Sequence, residues 1–187
     1  MVACTVPAWA QSGALTIPRN LDQLTSRAAV IVRGSVISAH VEKHPELSGL
    51  NTVVVTLRVK ETLKGQAKGT FTFRQFIWDI RDGKNAAGYQ KGQDLLLMMI
   101  EPSRYGLSSP AGLEQGRFLI SRDRTGREFA VNGHSNIRLF DGINAQMATK
   151  GISLSPRSSM LVAKHHKGPV ALGDLMVLIR ELSKGSE

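Results

Sequence analysis

The residues that could do chemistry in this chain come in pairs, and each pair sits in a context that limits what it can do. His40 and His44 stand four residues apart. On a helix that spacing would bring both rings to one face, where they could hold zinc. Here they close a strand-like stretch and run into Pro45, so both read as surface histidines and no metal site is assigned. Asp79 and Asp82 flank Ile80-Arg81, while Asp94 and Glu101 bracket an apolar run. General acid–base work needs two carboxyls in contrasting environments. Loop aspartates commonly cap turns instead, so no catalytic residue is assigned. Ser108-Ser109-Pro110 and Ser158-Ser159 lack the Gly-x-Ser-x-Gly elbow of a serine nucleophile, and Gly83-Lys84 lacks the following Ser or Thr of a phosphate loop. His165-His166 are adjacent, so in extended chain they would point apart and be solvated, in a segment sensitive to pH.

With no cofactor implied, binding is the chemistry left. Two polar, Gly-rich stretches, Asp79–Asp94 and Ser103–Gly116, read as long loops. Trp78, Arg81, Lys84, Tyr89, Tyr105 and Arg117 lie on or beside them and are assigned as a binding rim. Aromatics and arginines anchor interfaces because they bring large contact area at low entropic cost.

The elements that must position this rim are mostly strands. Val53, Val55, Leu57 and Val59 alternate with Thr56, Arg58 and Lys60, the period of a strand with one buried face. Ala29–Ile37 and Thr70–Trp78 are strand-like as well, and Gly34 suggests a bulge or tight bend in the first. Asp94–Ile100 is a continuous apolar run, expected as a strand buried on both faces. Phe118–Ser121 and Glu128–Val131 flank a turn carrying Gly126, and Ile137–Phe140 is expected to add a last short strand. Asn20 is placed to cap a short helix through Leu21, Leu24 and Ala28. Near the C-terminus Leu175, Leu178, Ile179 and Leu182 mark one apolar face of a helix. Between them, Gln146–Gly168 is basic with little periodicity and reads as a linker or mobile loop.

The chain has 187 residues, 42% hydrophobic and 21% charged, which suits one globular domain. Its formal charge of +9 is spread from Arg19 to Lys184 without a dense run. Interleaved aromatics for base stacking are lacking, so no specific nucleic-acid role is assigned; a polyanion role through the basic segment is a lesser alternative. No apolar run is long enough to span a bilayer. Val6-Pro7-Ala8-Trp9-Ala10-Gln11 has the small-x-small pattern of an export signal cut after Ala10, with its front part clipped. A lipobox ending at Cys4, with a lipid anchor there, takes second place because the Ala-Trp-Ala site follows so closely. Cys4 is the only cysteine, so the mature chain would have no disulfide and no thiolate chemistry. The expected organisation is a truncated signal peptide at 1–10, a β-barrel domain at 11–145, a basic linker at 146–168 and a C-terminal helix at 169–187.

The phrase Ala28-Ala29-Val30-Ile31-Val32-Arg33-Gly34-Ser35-Val36, followed by Val55 to Leu63-Lys64-Gly65 and a further strand, resembles the opening of netrin/TIMP-like modules. The stretch from Tyr105-Gly106-Leu107 to Gly112-Leu113-Glu114-Gln115-Gly116-Arg117-Phe118 is similar to one in secreted bacterial proteins of uncharacterised role, some of which adjoin metalloprotease domains. The resemblance implies a five-stranded OB-type barrel. Inhibitory members of the wider group place an N-terminal cysteine on a protease zinc and staple the barrel with disulfides; Cys4, inside the expected signal, leaves that mechanism no residue here. The expected protein is therefore a mainly β, OB/netrin-like barrel with a short N-terminal helix and a C-terminal amphipathic helix. Its expected role is that of a secreted or periplasmic, non-catalytic module binding another envelope or secreted protein. An envelope hydrolase using loop carboxylates such as Asp79 and Asp141 is the enzymatic alternative.

Overall fold

A computed structural model describes residues 17–77 and 83–184. Seven antiparallel strands form one sheet in the order β3-β2-β1-β4-β5-β6-β7. They are β1 (Val30–Lys43), β2 (Asn51–Lys64), β3 (Thr70–Phe76), β4 (Asp94–Met99), β5 (Arg117–Arg122), β6 (Glu128–Asn132) and β7 (Val170–Ala171). Four α-helices lie wholly among the described residues: α1 (Leu21–Arg27), α2 (Ile143–Thr149), α3 (Pro156–Lys164) and α4 (Leu172–Lys184). The ladder is open, with β3 and β7 at its two ends, so the expected closed barrel is not what the strand pairing makes. Two isolated bridges nevertheless tie the β3 end back toward β4. Leu107 pairs in parallel with Arg74, and Pro110 in antiparallel with Met99. A segment that touches both β3 and β4, with β2 and β1 between them, requires this half of the sheet to curl.

Side-chain alternation then makes two cores. Val32, Val36, Val53, Val55, Leu57, Phe73, Leu95, Leu97 and Met99 fill the curl together with Ile77 and Tyr89. Ile31, Leu96 and Met98 point to the other face, where α1, α4, Phe118, Ile120 and Ala130 cover them. The apolar run of β4 thus feeds both cores, as its lack of alternation predicts; Leu95 through Met99 are all buried. Gly34 sits at a shift in the β1–β2 register. A Cβ there would lie 2.6 Å from the Arg58 carbonyl oxygen, so the bulge depends on the missing side chain.

The helices follow local rules. Asn20 and Gln23 form a reciprocal capping box on α1. Leu175, Leu178, Ile179 and Leu182 on α4 are all fully buried against the second core. Two expectations fail. Residues 146–168 are not a linker: they carry most of α2 and all of α3, with Met147 and Val162 buried. Ser155 caps α3 and Pro156 opens it, signals that end-capping rules allow but that the basic composition hid. Ile137–Phe140 is no strand but part of a run of turns, with Asn136 and Arg138 at positive φ.

Where the helices stop covering the sheet, an ionic ladder takes over. Arg33 of β1 donates to both carboxylate oxygens of Glu128 at 2.6 and 2.7 Å. Arg122 joins Glu128 at 2.9 Å and Asp94 at 3.9 Å, and Asp94 accepts from Lys60 at 2.7 Å and from Ser35. Burial pushes both carboxyls up, but the hydrogen bonds and charges of Lys60, Ser35 and Arg122 on Asp94, and of Arg122 and Arg33 on Glu128, outweigh it and hold both below their usual values. A depressed folded pKa stabilises above the unfolded value, and that contribution disappears as pH falls through the folded one. The melting temperature is therefore expected to be flat from neutral pH to about pH 5 and to fall below about pH 4. Thermal unfolding across that range checks this: the double variant Asp94→Asn, Glu128→Gln should melt lower at neutral pH and lose much of the acid slope.

Candidate functional site

The assigned rim divides once its side chains are placed. Trp78 and Arg81, with the carboxylates Asp79 and Asp82, lie outside the described residues. Lys84 is exposed on the surface. Tyr89 is only 3% exposed, edge-on to Phe73 at 5.6 Å between ring centroids, with its hydroxyl donating to Gln75 at 3.0 Å. Burial drives its phenol pKa up. Arg117 lies 3.9 Å over the Tyr89 ring and donates to the carbonyls of Ala87 and Gly88 at 2.9 and 2.5 Å. It also meets Glu114 at 3.4 Å. Arg117 and Tyr89 therefore do not rim a binding face; they clamp the two loops to the core. Ala86 and Ala87 are held at positive φ beneath that clamp. Removing Lys84–Lys91 would take Tyr89 out of the core, so that deletion could not leave the fold intact.

Tyr105 is half-buried, with Arg104 stacked 4.7 Å from its ring centroid. Its carbonyl accepts from His44 Nε2 at 2.9 Å. His44 is buried rather than on the surface. Its Nδ1 accepts the backbone N–H groups of Glu46 and Leu47 at 3.2 and 3.1 Å, which places the ring proton on Nε2. His44 thus fastens the β1–β2 turn to the Tyr105 turn, while His40 is exposed beside Glu42. His165 is also not solvated: it packs edge-on to Phe140 and its Nε2 contacts the Gly168 carbonyl at 3.0 Å.

Most of the other polar groups singled out from the sequence are tied up structurally. Asp94 belongs to the ionic ladder, Glu101 lies beyond the far end of β4, and Asp141 pairs with Arg138 at 3.2 Å. The buried Ser108 hydroxyl donates to the Ile100 carbonyl at 2.8 Å. Ser158 is buried inside α3. Within the basic segment, Lys150 pairs with Asp22, and Arg157 with Asp174.

Among the spaces that the described side chains leave open is a cleft of about 330 Å³ at the seam between β3 and the segment that follows β4. One wall is β3, from Phe71 to Arg74; the other is Met99 to Pro102 with Gly106 and Ser108; Ala29, Val30 and Val54 complete it. The lining runs from the outer face of β2 and β3 (Val54, Thr72, Arg74) around the strand edge to residues of the curled core (Phe73, Met99). Most of it is apolar, with a few polar groups at fixed places, the usual make-up of a ligand site. Arg74 is held in place by Thr52 at 2.8 Å and Glu42 at 2.6 Å. That hydrogen bond, with a second from His40, holds the Glu42 carboxyl below its usual range. A smaller crevice of about 190 Å³ lies across the same segment, lined by Gln75, Phe76, Leu107, Ser109 and Leu113 and sharing Ile100 and Ser108.

Of the assigned residues that the structure describes, Lys84, Tyr89, Tyr105 and Arg117, none lines the cleft. The signal that could have found it was the pair Phe71 and Phe73 on a strand whose neighbour on the far side was undetermined. No helix among the described residues is long and apolar enough to cross a membrane. Comparison with models of known protein families, with characterised proteins and with solved structures found no match.

Proposed function

We propose that this chain is a non-catalytic binding module of OB-like architecture, working in secreted or periplasmic form, that holds part of another envelope protein in the seam cleft. The observation that carries the proposal is the cleft itself: an open, largely apolar space bounded by β3 on one side and the segment after β4 on the other. The order β3-β2-β1-β4, with Leu107–Pro110 bridged to both β3 and β4, supports the OB-like part, since that segment stands where the fifth strand of such a barrel would run. Export rests on the Ala8-Trp9-Ala10 pattern.

The test is capture from an envelope extract by the full chain, washed at rising salt. A specific partner should resist washing and should be lost, by roughly tenfold or more, when a charge enters the cleft through Ile100→Lys. The surface change Lys84→Glu should leave it bound. Loss with Lys84→Glu and retention with Ile100→Lys would move the site to the outer loops and remove the basis of the proposal.

A further inference from the structure

The backbone of the cleft specifies what fits it more closely than the side chains do. In an antiparallel ladder, opposed residues alternate between pairs that exchange hydrogen bonds and pairs that do not. Ile77 N–H donates to the Asn51 carbonyl at 3.1 Å, and Val59 N–H to the Gly69 carbonyl at 2.9 Å. With the β2–β3 register, these contacts make Val53–Gln75, Val55–Phe73 and Leu57–Phe71 the hydrogen-bonded pairs. The N–H and C=O groups of Thr70, Thr72 and Arg74 therefore point away from β2, over the open edge.

At Arg74 that edge is used: its carbonyl accepts from Ser108 N–H at 2.8 Å. One step back it is not. The backbone groups of Thr70 and Thr72 have no partner among the described residues, and both residues are exposed. The pairing begun by Leu107 stops there because the chain turns away, with Gly106 N–H bonded to the Ser103 carbonyl. The cleft is the space this leaves, one strand wide in origin. Proteins ordinarily blunt such an edge with prolines, bulges or inward charges; residues 70–73 read Thr-Phe-Thr-Phe.

We infer that the cleft takes an extended segment of a partner protein, added as a strand to the free edge of β3 at Thr70–Thr72, apolar at alternate positions and carrying a lysine or arginine toward Glu101. Strand addition draws its affinity from main-chain hydrogen bonds and its selectivity from pockets for alternate side chains. Here one set of side chains would enter between Phe71, Val30, Met99 and Ile100, and the other would lie along Val54 and Thr72. The cation follows from charge complementarity. Arg74 is already neutralised by Glu42, whereas Glu101 is exposed at the lip and makes no ion pair among the described residues.

This inference rests on the seam cleft being the binding site, and the experiment separates the two. The probe is a blocked hexapeptide alternating valine and lysine, titrated into the isotope-labelled full chain, with a version N-methylated on alternate amides as control. Amide exchange at Thr70 and Thr72 is expected to slow at least about tenfold on saturation. Thr72→Pro removes an outward N–H, a change that edge strands tolerate, together with an exposed hydroxyl contact to Thr56 that Thr72→Val removes alone; the proline should weaken the peptide roughly tenfold with little change in melting temperature, and the valine should not weaken it. N-methylation of the facing amides should do the same without touching the protein, and Glu101→Gln should reduce the salt dependence. Unchanged exchange at Thr70 and Thr72, equal binding by Thr72→Pro and by N-methylated peptide, or no binding at millimolar peptide would overturn strand addition. Concentration-dependent protection without peptide would make the occupant a second copy and overturn it too. If the extract partner is captured equally by the parent chain and by Thr72→Pro, strand addition falls and the binding module stands; if neither captures anything, the binding module itself falls.

Discussion

Replacing Asn136 with alanine is expected to lower the unfolding free energy by about 4 kcal/mol. Asn136 and Asn132 are buried and bind each other reciprocally. Each backbone N–H donates to the other's side-chain oxygen, at 2.8 and 3.0 Å. Asn136 Nδ2 donates further to the carbonyls of Ala130 at 3.0 Å and Gly168 at 2.8 Å, so one side chain joins the end of β6 to the strand entry at β7. Alanine would leave the buried Asn132 N–H without the Asn136 oxygen and remove the side-chain hydrogen bonds to the Ala130 and Gly168 carbonyls, the latter keeping only its contact with His165. It would also have to hold φ near 56°, a left-handed conformation that asparagine tolerates and alanine resists. Asn136→Gly separates these effects: glycine relieves the backbone but not the lost hydrogen bonds, and should recover about 1 kcal/mol of the deficit. Urea denaturation of the three proteins measures both. Equal stability of the alanine and glycine variants would mean that the left-handed turn carries no strain.

Leu178→Ala is expected to cost about 3–5 kcal/mol. Leu178 is fully buried in the middle of α4, in the core that α1, β4, β5 and β6 share. Its neighbours come from strands and helices that cannot close on a void without moving the sheet, so the cavity term adds to the lost transfer free energy. The urea midpoint should fall with an unchanged slope, because the surface exposed on unfolding is nearly the same. A loss under about 1 kcal/mol would mean that α4 is peripheral to the fold.

These two positions also mark what the sequence makes legible. The role of Leu178 follows from spacing alone, because Leu175, Leu178, Ile179 and Leu182 share one helical face. The strands of β1 to β6 are readable for the same reason, and Leu95–Met99 shows that a missing alternation is itself informative. Asn136 is not legible. Its role depends on Gly168, thirty-two residues away, and on a turn held by side-chain to backbone bonds that carry no period. A stretch such as Ile137–Phe140 reads as a strand when only hydrophobicity is weighed, yet Ile137 is more than half exposed.

The binding residues illustrate a different limit. Tyr89 and Arg117 carry the chemical character of interface residues, and they use it inward, stacking on each other to hold the loops. Composition cannot distinguish an aromatic–arginine pair that awaits a partner from one that already has it. The cleft, in turn, is made by an absence, the end of strand pairing beyond Arg74 and Leu107, which no single residue announces.

The most direct test of the central claim is site-specific photo-crosslinking in an envelope extract, with a photoreactive residue at Thr72 in one sample and at Met160 in another. Thr72 lies on the lip of the cleft, and Met160 is likewise exposed, on α3. A discrete adduct with one protein from position 72, and none from position 160, is the expected result. No adduct at 72, or the same adducts from both positions, would contradict the seam cleft as the binding site.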